Sequence, residues 1–308
     1  MKKLNRRDAV KGLALGAGMA GLAVSLTSCG DQKAQEGSAM VEGDNQKPDE
    51  EKLVLKGNIN HSVCRWCYND IPIEKLAEES KAMGIQSIEI SGPDEWPVIL
   101  KHGLTCAMAT GEVANIADGF NETANHEHLL KGYTDLINQA ADAGLEQVIV
   151  FSGNRRELDD KTGLENCAVG LDPLVKLAEK RNIRLVMELL NSKVNHKDYM
   201  CDKTPWGVDL VEKIGSPSFK LLYDIYHMQI MEGDVIATIR KYHPYFSHYH
   251  TGGVPGRNEI NDTQELYYPA IMKAILETGY TGYVAQEYIP TWEDQIAALR
   301  EGIRICDV

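Results

Sequence analysis

The sequence has few positive charges for its size, with 32 lysines and arginines against 45 aspartates and glutamates and a formal net charge of -13 over 308 residues. Nucleic-acid binding takes most of its affinity from cationic contacts with phosphates, so this balance argues against a nucleic-acid partner. The seven cysteines are an odd number in a long chain, unlike a small disulfide scaffold. Cys64 and Cys67 lack a second pair at zinc-ribbon spacing. We interpret them as two thiols in a loop rather than as a disulfide or a redox pair.

An apolar run long enough to cross a membrane is also missing at the N-terminus. Residues 12–26 are uncharged and rich in Gly, Ala and Leu, but they are too short for a comfortable membrane span. The run follows the paired Arg6 and Arg7, and together they resemble a bacterial twin-arginine export signal. It ends in Leu-Thr-Ser-Cys29, which resembles a lipoprotein box whose cysteine is lipidated and becomes the mature N-terminus. The alternative is a soluble secreted protein that is cut nearby.

The segment after Cys29 is polar. Residues 30–52 carry almost no apolar side chains, so they cannot bury enough surface to offset the entropy of ordering. We therefore expect a signal peptide over residues 1–29, a flexible tether over residues 30–52 and a folded domain over residues 53–308. The expected location is the cell envelope or periplasm, reached by the twin-arginine route, with the membrane contacted only through lipid on Cys29.

The folded domain alternates short apolar runs with amphipathic segments. The pattern predicts eight strand–helix units, as a closed parallel barrel of the α/β class requires, namely a (β/α)8 TIM barrel. The expected elements include a first strand at residues 54–60, a third strand at residues 104–109, a helix starting at Asp172 and a last helix starting at Thr291. A doubly wound open sheet is the rival architecture, but no Gly-x-Gly-x-x-Gly follows the first strand.

Four successive strand candidates in the second half each finish on a residue able to ligate a metal: Glu188, Asp224, His250 and Glu287. A barrel collects consecutive strand ends around one axis, whereas an open sheet spreads them along a line, so this set also favours the barrel. Three carboxylates and one imidazole suit a divalent ion, with Mn²⁺ or Mg²⁺ expected first and Co²⁺ or Zn²⁺ as alternatives. The competing interpretation is that some of the four form ion pairs at the barrel mouth.

The same residues suggest a reaction. A metal ion that holds the carbonyl and hydroxyl oxygens of an α-hydroxycarbonyl compound lowers the cost of the enediolate formed when the intervening C–H proton leaves. Two carboxylates on opposite sides of that carbon, Glu188 and Glu287, can remove the proton and return it. Arg257 lies seven residues past His250 and can pair with a substrate carboxylate or phosphate. The alternative for Arg257 is a surface position in a glycine-rich loop.

These motifs resemble the xylose-isomerase-like sugar isomerase/epimerase barrels, and within them the hydroxypyruvate isomerase group. The resemblance covers about residues 53–308 and is carried by Val-Met-Glu188-Leu-Leu-Asn191, Tyr-Asp224-Ile-Tyr-His227, His248-Tyr-His250-Thr-Gly-Gly-Val-Pro-Gly-Arg257 and Ala-Gln-Glu287-Tyr. It implies one divalent ion held by Glu188, Asp224, His250 and Glu287, with the two glutamates as acid and base and with His227 and Arg257 contacting the substrate. His250 is a departure, because hydroxypyruvate isomerases tend to have Gln there; His resembles the ketose 3-epimerases.

The expected substrate is a small sugar or hydroxy-keto acid. A ketose 3-epimerase and an inosose dehydratase-type lyase stay open within the family, because the same enediolate can be reprotonated or can lose a hydroxyl. The intact Glu188 and Glu287 disfavour a non-catalytic sugar-binding lipoprotein of the envelope. DNA-repair endonucleases with three zinc ions share part of the ligand pattern, but residues 251–268 contain no histidine and the net charge opposes DNA. The oligomeric state is left open.

Several other polar residues have two interpretations. Glu89, at the end of the second strand, points into the barrel mouth or pairs with a lysine. His61 and Trp66 line the substrate site or pack in a loop. His196 and Lys197 lie in the loop after the fifth strand, where we expect one wall of the substrate site.

Overall fold

The structure, a computed structural model, describes residues 53–308. The signal peptide, the tether and the lipidation site at Cys29 lie outside the described residues, so these assignments stay predictions. Within residues 53–308, none of the helices combines the length and the apolar composition needed to cross a bilayer. The six cysteines of this part are free and buried, in agreement with the interpretation of Cys64 and Cys67 as thiols.

In the described part of the chain, seven parallel strands form one sheet, in the order β2-β1-β7-β6-β5-β4-β3. Their bounds are β1 Asn60–Cys64, β2 Ser87–Glu89, β3 Gln147–Val150, β4 Arg184–Glu188, β5 Phe219–Asp224, β6 Phe246–Thr251 and β7 Tyr283–Gln286. Every strand is short and almost wholly buried, as expected where helices cover the outer face of a parallel sheet.

The two edge strands, β2 and β3, are joined through residues 105–109. Thr105 forms a parallel bridge to β2, and Ala109 forms one to Val148 of β3. The backbone N–H of Ile149 also donates to the carbonyl of Ala109, at 3.0 Å. Beyond β2, Ile90 has a φ of +51°, which interrupts extended geometry there. The TIM-barrel prediction is thus confirmed, with irregular backbone in the position expected for the third strand.

Nine α-helices of the described residues surround the sheet. Their bounds are α1 Ile73–Met83, α2 Trp96–Lys101, α3 His126–Asp142, α4 Asp160–Arg181, α5 Thr204–Ile214, α6 Ile225–Met231, α7 Val235–Tyr242, α8 Tyr268–Glu277 and α9 Gln295–Cys306. Each long helix buries one apolar face; in α3 this face comprises Leu129, Tyr133, Leu136, Ile137 and Ala140. The core therefore lies between the strands and the helices, and the strand ends are left to form a site.

Three predicted bounds were wrong. The first strand lies at β1 rather than at residues 54–60, and Val54 is 83% exposed. Helix α4 begins at Asp160 rather than Asp172, because the Asp159 side chain accepts from the backbone N–H groups of the first turn. Helix α9 begins after Asp294 and not at Thr291, since the Asp294 side chain is its N-terminal cap.

Candidate active site

Four ligand-type residues come together at the carboxyl ends of four neighbouring strands. Glu188 and Asp224 are the last residues of β4 and β5, His250 is the penultimate residue of β6, and Glu287 directly follows β7. One ligand atom from each lies within 4.8 Å of the others, and all four residues are buried. In a parallel barrel the strand ends meet at one face, which explains how residues so distant in the chain converge.

The donor set fits a divalent cation. Within residues 53–308, Asp224 Oδ2 and Glu188 Oε1 are buried without a hydrogen-bond partner, and Glu188 Oε1 lies 3.4 Å from Nδ1 of His250. Burial, and then the charge of Glu287, raises the pKa of both Asp224 and Glu188. Carboxylates crowded in a dry space cost free energy unless a cation balances them. Three oxygen donors and one imidazole nitrogen could therefore hold such an ion.

Asp224 divides its two oxygens between the fold and the site. It is the N-cap of α6, and Oδ1 accepts a hydrogen bond of 3.0 Å from the backbone N–H of His227. An Asp followed three residues later by His therefore places both side chains at the mouth, because the third helical N–H is the one that a cap satisfies. The second oxygen, Oδ2, has no hydrogen-bond partner within residues 53–308 and lies 3.5 Å from Nη2 of Arg257.

His227 presents one ring nitrogen to the site. Its Nδ1 lies 3.2 Å from the backbone N–H of Asn191 and 2.6 Å from the Asn191 side-chain amide, so Nδ1 accepts and Nε2 carries the proton. Burial, followed by the nearby Arg257 charge, holds the pKa of His227 well below its usual value. Nε2 is 3.6 Å from Asp224 Oδ2 and has no hydrogen-bond partner within residues 53–308. His227 is thus a neutral donor with its N–H unused.

The two glutamates have different surroundings. Both oxygens of Glu287 are engaged: Oε1 accepts from the indole N–H of Trp66 at 2.7 Å, and Oε2 lies 2.6 Å from Arg257 and 2.8 Å from His250. Burial raises the pKa of Glu287, but Arg257 and His250 outweigh it and hold the pKa well below its usual range. Glu188 has no comparable cation at hydrogen-bond distance among the described residues, which is consistent with its raised pKa.

Arg257 reaches the site from a tight loop after β6. The residue has a φ of +58°, and a Cβ at Gly253 would lie 2.4 Å from the carbonyl oxygen of Glu259, so the loop has no room for a side chain there. The guanidinium carbon lies 5.0 Å from the Trp66 ring centroid and 5.4 Å from that of Tyr226. The surface position considered for Arg257 is wrong, because the residue is only 8% exposed.

The structure shows where the other polar and aromatic candidates from the sequence lie. Trp66 contacts Glu287 and Arg257, so it lies in the site. The His196 ring lies 5.2 Å from the His227 ring, whereas Lys197 is exposed. His61 packs near Asp307, 3.6 Å away, and is fully buried. For His61 the packed interpretation is therefore correct.

Glu89 corresponds to neither interpretation: it lies inside the barrel and pairs with His248 and His250 rather than with a lysine. Burial raises its pKa, but the two histidines outweigh burial and lower it to about 2. Sequence reasoning also assigned no role to Asn191 and His248. The two-residue spacing of His248 and His250 could have predicted that both side chains lie on the same face of the strand, since residues two apart in a strand share a face.

Comparisons with known proteins agree with this architecture. The profile of the family described as "Xylose isomerase-like TIM barrel" matches residues 77–306. A putative hydroxypyruvate isomerase from Homo sapiens is 26% identical over 230 residues, covering 73% of this chain and 77% of the relative.

Two solved structures resemble the chain in fold. An AP endonuclease, family 2, from Brucella melitensis has a TM-score of 0.69 at 22% identity and covers 78% of this chain and 97% of its own. A 3-keto-D-glucoside 4-epimerase from E. coli has a TM-score of 0.68 at 19% identity and covers 80% of this chain and 100% of its own. At these identities the likeness concerns the fold alone.

Proposed function

Since this chain belongs to the xylose isomerase-like TIM barrel family and is an isomerase, we propose that it acts on a small hydroxy-carbonyl compound or sugar. The reaction removes a proton from a C–H beside a carbonyl group and returns it through an enediolate, in the manner of a hydroxypyruvate isomerase. The observation that carries the proposal is the convergence of Glu188, Asp224, His250 and Glu287 around buried oxygens that have no hydrogen-bond partner within residues 53–308.

These four residues would hold one divalent ion, with Mn²⁺ or Mg²⁺ favoured by the oxygen-rich donor set and Co²⁺ or Zn²⁺ as alternatives. When bound, the ion supplies Lewis acidity towards the substrate carbonyl. The chain contributes the geometry: His250 stands between the two glutamates, with Nδ1 at 2.8 Å from Glu287 and 3.4 Å from Glu188. Two carboxylates that flank the reacting carbon can remove a proton on one side and deliver one on the other.

Two further groups would orient the substrate. His227 offers a neutral N–H that has no partner among the described residues, and this donor suits a hydroxyl or carbonyl oxygen. Arg257 offers a buried guanidinium whose Nε also lacks a partner in that part of the chain, and its planar group suits a carboxylate or a pair of hydroxyl oxygens. The aromatic rings of Trp66 and Tyr226 flank this guanidinium and keep it in place.

The test is solvent-deuterium exchange followed by NMR. Metal-loaded protein is incubated in D₂O with hydroxypyruvate, ketohexoses, 3-keto sugars and inosose, and the C–H that exchanges identifies the substrate class. A parallel sample of Asp224→Ala controls for contaminating isomerases. We expect exchange with at least one compound and none in the control. No exchange in any compound by metal-loaded protein would contradict the proposed reaction.

We also propose that the chain is exported by the twin-arginine route and anchored to a membrane by lipid on Cys29, followed by the tether of residues 30–52. Support comes from Arg6 and Arg7, the apolar run and the Leu-Thr-Ser-Cys29 sequence. Mass spectrometry of the membrane fraction should find lipidated Cys29 at the mature N-terminus. An unmodified N-terminus elsewhere in a freely soluble protein would refute this location.

A further inference from the structure

A second layer of polar side chains lies inside the barrel, next to His250. It consists of Ser62 from β1, Glu89 from β2 and His248 from β6, and all three are fully buried. Glu89 Oε1 lies 2.6 Å from Nε2 of His248 and 2.9 Å from Nε2 of His250. Glu89 Oε2 accepts from the Ser62 hydroxyl at 2.5 Å. Both carboxylate oxygens are therefore fully engaged.

Strand geometry explains how these residues meet. His248 and His250 are two residues apart in β6, so their side chains leave the strand on the same face. Glu89 comes from β2, which is separated from β6 in the sheet by β1 and β7. The contact between Glu89 and the two histidines thus crosses the barrel interior and is independent of the local pairing of β6.

The contact matters because the two nitrogens of an imidazole have opposite uses. A nitrogen that carries a proton donates a hydrogen bond, and only the other, bare nitrogen can ligate a metal ion. Each nitrogen of His250 faces a carboxylate oxygen, with Glu89 Oε1 at 2.9 Å from Nε2 and Glu287 Oε2 at 2.8 Å from Nδ1. Glu287 belongs to the proposed ligand group and Glu89 does not, so an ion held by that group would leave the proton on Nε2, towards Glu89. Nδ1, which faces Glu188 and Glu287 at 3.4 Å and 2.8 Å, is then the nitrogen left for a ligand bond.

We propose that Glu89 is a positioning residue, which holds His250 in the Nε2–H tautomer and aims its Nδ1 at the Glu188–Asp224–Glu287 group. The inference rests on the proposed metal site and deepens it. Glu89 itself touches neither substrate nor metal. Its counterparts are Ser62 and His248, which fill the remaining acceptor directions of the carboxylate and so stop it from turning away from His250.

A rival interpretation treats the same residues as a second metal site. Cys64, Glu89 and His250 also bring ligand atoms within 4.8 Å of one another, and Cys64 Sγ lies 3.8 Å from Nε2 of His250. An ion there would replace the proton on Nε2 and compete with the donors from Ser62 and His248 for the oxygens of Glu89. The satisfied hydrogen bonds favour the positioning role, and the number of bound ions separates the two interpretations.

The experiment compares three variants of the purified chain for binding of Mn²⁺ alone by calorimetry. Glu89→Leu removes the acceptor while filling much of its volume, and we expect Mn²⁺ affinity to fall about 10- to 100-fold, as for other residues that orient metal ligands. Glu89→Gln keeps an acceptor oxygen towards both histidines, and the Ser62 hydroxyl can turn to accept from its amide, so affinity should stay within about threefold of wild type. Ser62→Ala removes one hydrogen bond from Glu89 but leaves its contacts with both histidines, so affinity should fall by less than in Glu89→Leu.

Nitrogen NMR of the histidine rings gives a readout that loss of packing does not mimic. With diamagnetic Zn²⁺ bound, wild-type His250 should show Nε2–H and a metal on Nδ1, and Glu89→Gln should keep this signature. A wild-type spectrum with the proton on Nδ1 would overturn the proposal even if Glu89→Leu failed to fold. So would Glu89→Leu that binds Mn²⁺ as tightly as wild type with the same tautomer.

The outcomes also separate this inference from the proposed function. If the wild-type chain binds no divalent ion, the proposal of a metal site is wrong, and the role proposed for Glu89 is wrong as well. If wild type binds two ions and Glu89→Leu binds one, a second metal site replaces the positioning role. One ion in wild type, weakened by Glu89→Leu and retained by Glu89→Gln, supports the proposal.

Discussion

The two halves of the barrel contribute differently to the site. From β4 to β7, each strand or the residue directly after it delivers one of the four convergent side chains: Glu188, Asp224, His250 and Glu287. The first half, from β1 to β3, delivers residues that contact two of those four: Trp66 donates to Glu287, and Glu89 lies 2.9 Å from Nε2 of His250. The comparison suggests that the groups proposed to react and the groups that orient them come from separate parts of the chain.

The backbone also differs between the two halves of the barrel, because strand pairing is more continuous in the second half than in the first. In the second half the strands pair along most of their length, with Glu188 opposite Leu222, Asp224 opposite His250 and His250 opposite Ala285. In the first half, Ile90 interrupts extended geometry after β2 and residues 105–109 make only isolated bridges. Continuous strand pairing brings the four residues of the second half together at the strand ends, whereas the first half reaches the site from a loop and from the barrel interior.

The largest loss of kcat should come from substitutions in the second half of the barrel. Glu188→Gln and Glu287→Gln each keep an oxygen but lose the proton acceptor, so kcat should fall about 10²- to 10⁴-fold, the usual contribution of a general acid or base. KM should change far less, because substrate binding uses other groups. Steady-state kinetics with metal analysis of the same samples checks this, since lost metal would mimic a lost base.

The matched control is Glu293→Gln, an exposed glutamate after β7, which should leave kcat unchanged. If both site variants retain metal and turn over at the wild-type rate, the two glutamates do not exchange the proton.

A smaller loss of kcat should come from a substitution in the first half of the barrel. Trp66→Phe keeps a ring beside Arg257 but removes the hydrogen bond to Glu287 Oε1. A hydrogen bond to a charged group is worth about 1.5 kcal/mol at the low end, so kcat should fall roughly tenfold. Trp292→Phe, at a half-exposed position, serves as the control and should have no effect. An unchanged kcat in Trp66→Phe would mean that the first half does not hold Glu287 for the reaction.

The smallest expected effect is on the pH dependence of stability, and it comes from His61 in β1. His61 is fully buried, and burial lowers its pKa although Asp307 opposes the shift. The unfolded chain then binds a proton more readily than the folded chain. The free energy of unfolding contributed by neutral His61 is therefore complete above about pH 6.5 and is lost as pH falls from there towards the lowered pKa.

Denaturant unfolding of wild type and His61→Gln at several pH values measures this contribution. Wild type should lose more stability than the variant as pH falls, by at most about 1.4 kcal/mol per pH unit for one group. The residues of the site are the same in both proteins, so their own pH dependence cancels in the comparison. Equal losses in the two proteins would show that His61 is not held neutral by the fold.

Much of the fold was predictable because the strands and helices follow hydrophobic periodicity. Helix α8 begins at Tyr268 as its Tyr-Pro start indicates, and α5 begins at Thr204, which is likewise followed by proline.

The start of α4 was predicted wrongly, at Asp172 instead of Asp160, because an Asp-Pro pair was interpreted as a helix start. Asp172 and Pro173 have the form of a helix start, but Pro173 lies inside α4, whose N-terminal cap is Asp159. The segment before Asp172 contains Gly163, which weakens the local helix signal. Tertiary packing explains this glycine, because a Cβ there would lie 2.0 Å from the sulfur of Met200. A contact with so distant a residue has no local sequence pattern.

The site was predictable to the extent that it follows from strand ends. Glu188, Asp224, His250 and Glu287 could be predicted from the sequence because each closes or follows a short apolar run, and parallel strands place such residues at one face. The partners of these residues could not be predicted. Whether Trp66 reaches Glu287, or Glu89 reaches His250, depends on how a loop and a barrel interior fold across large sequence separations, and no local pattern encodes those distances.

The most direct test of the account is metal binding by the purified chain and its ligand variants. Metal-free wild type titrated with Mn²⁺ should bind one ion per chain, and Asp224→Ala and His250→Ala should each lose most of that binding while remaining folded by circular dichroism. The same titration of Glu293→Gln should match wild type. Absence of binding in wild type, or full occupancy in both ligand variants, would contradict the claim that four strand ends of the second half form one cation site.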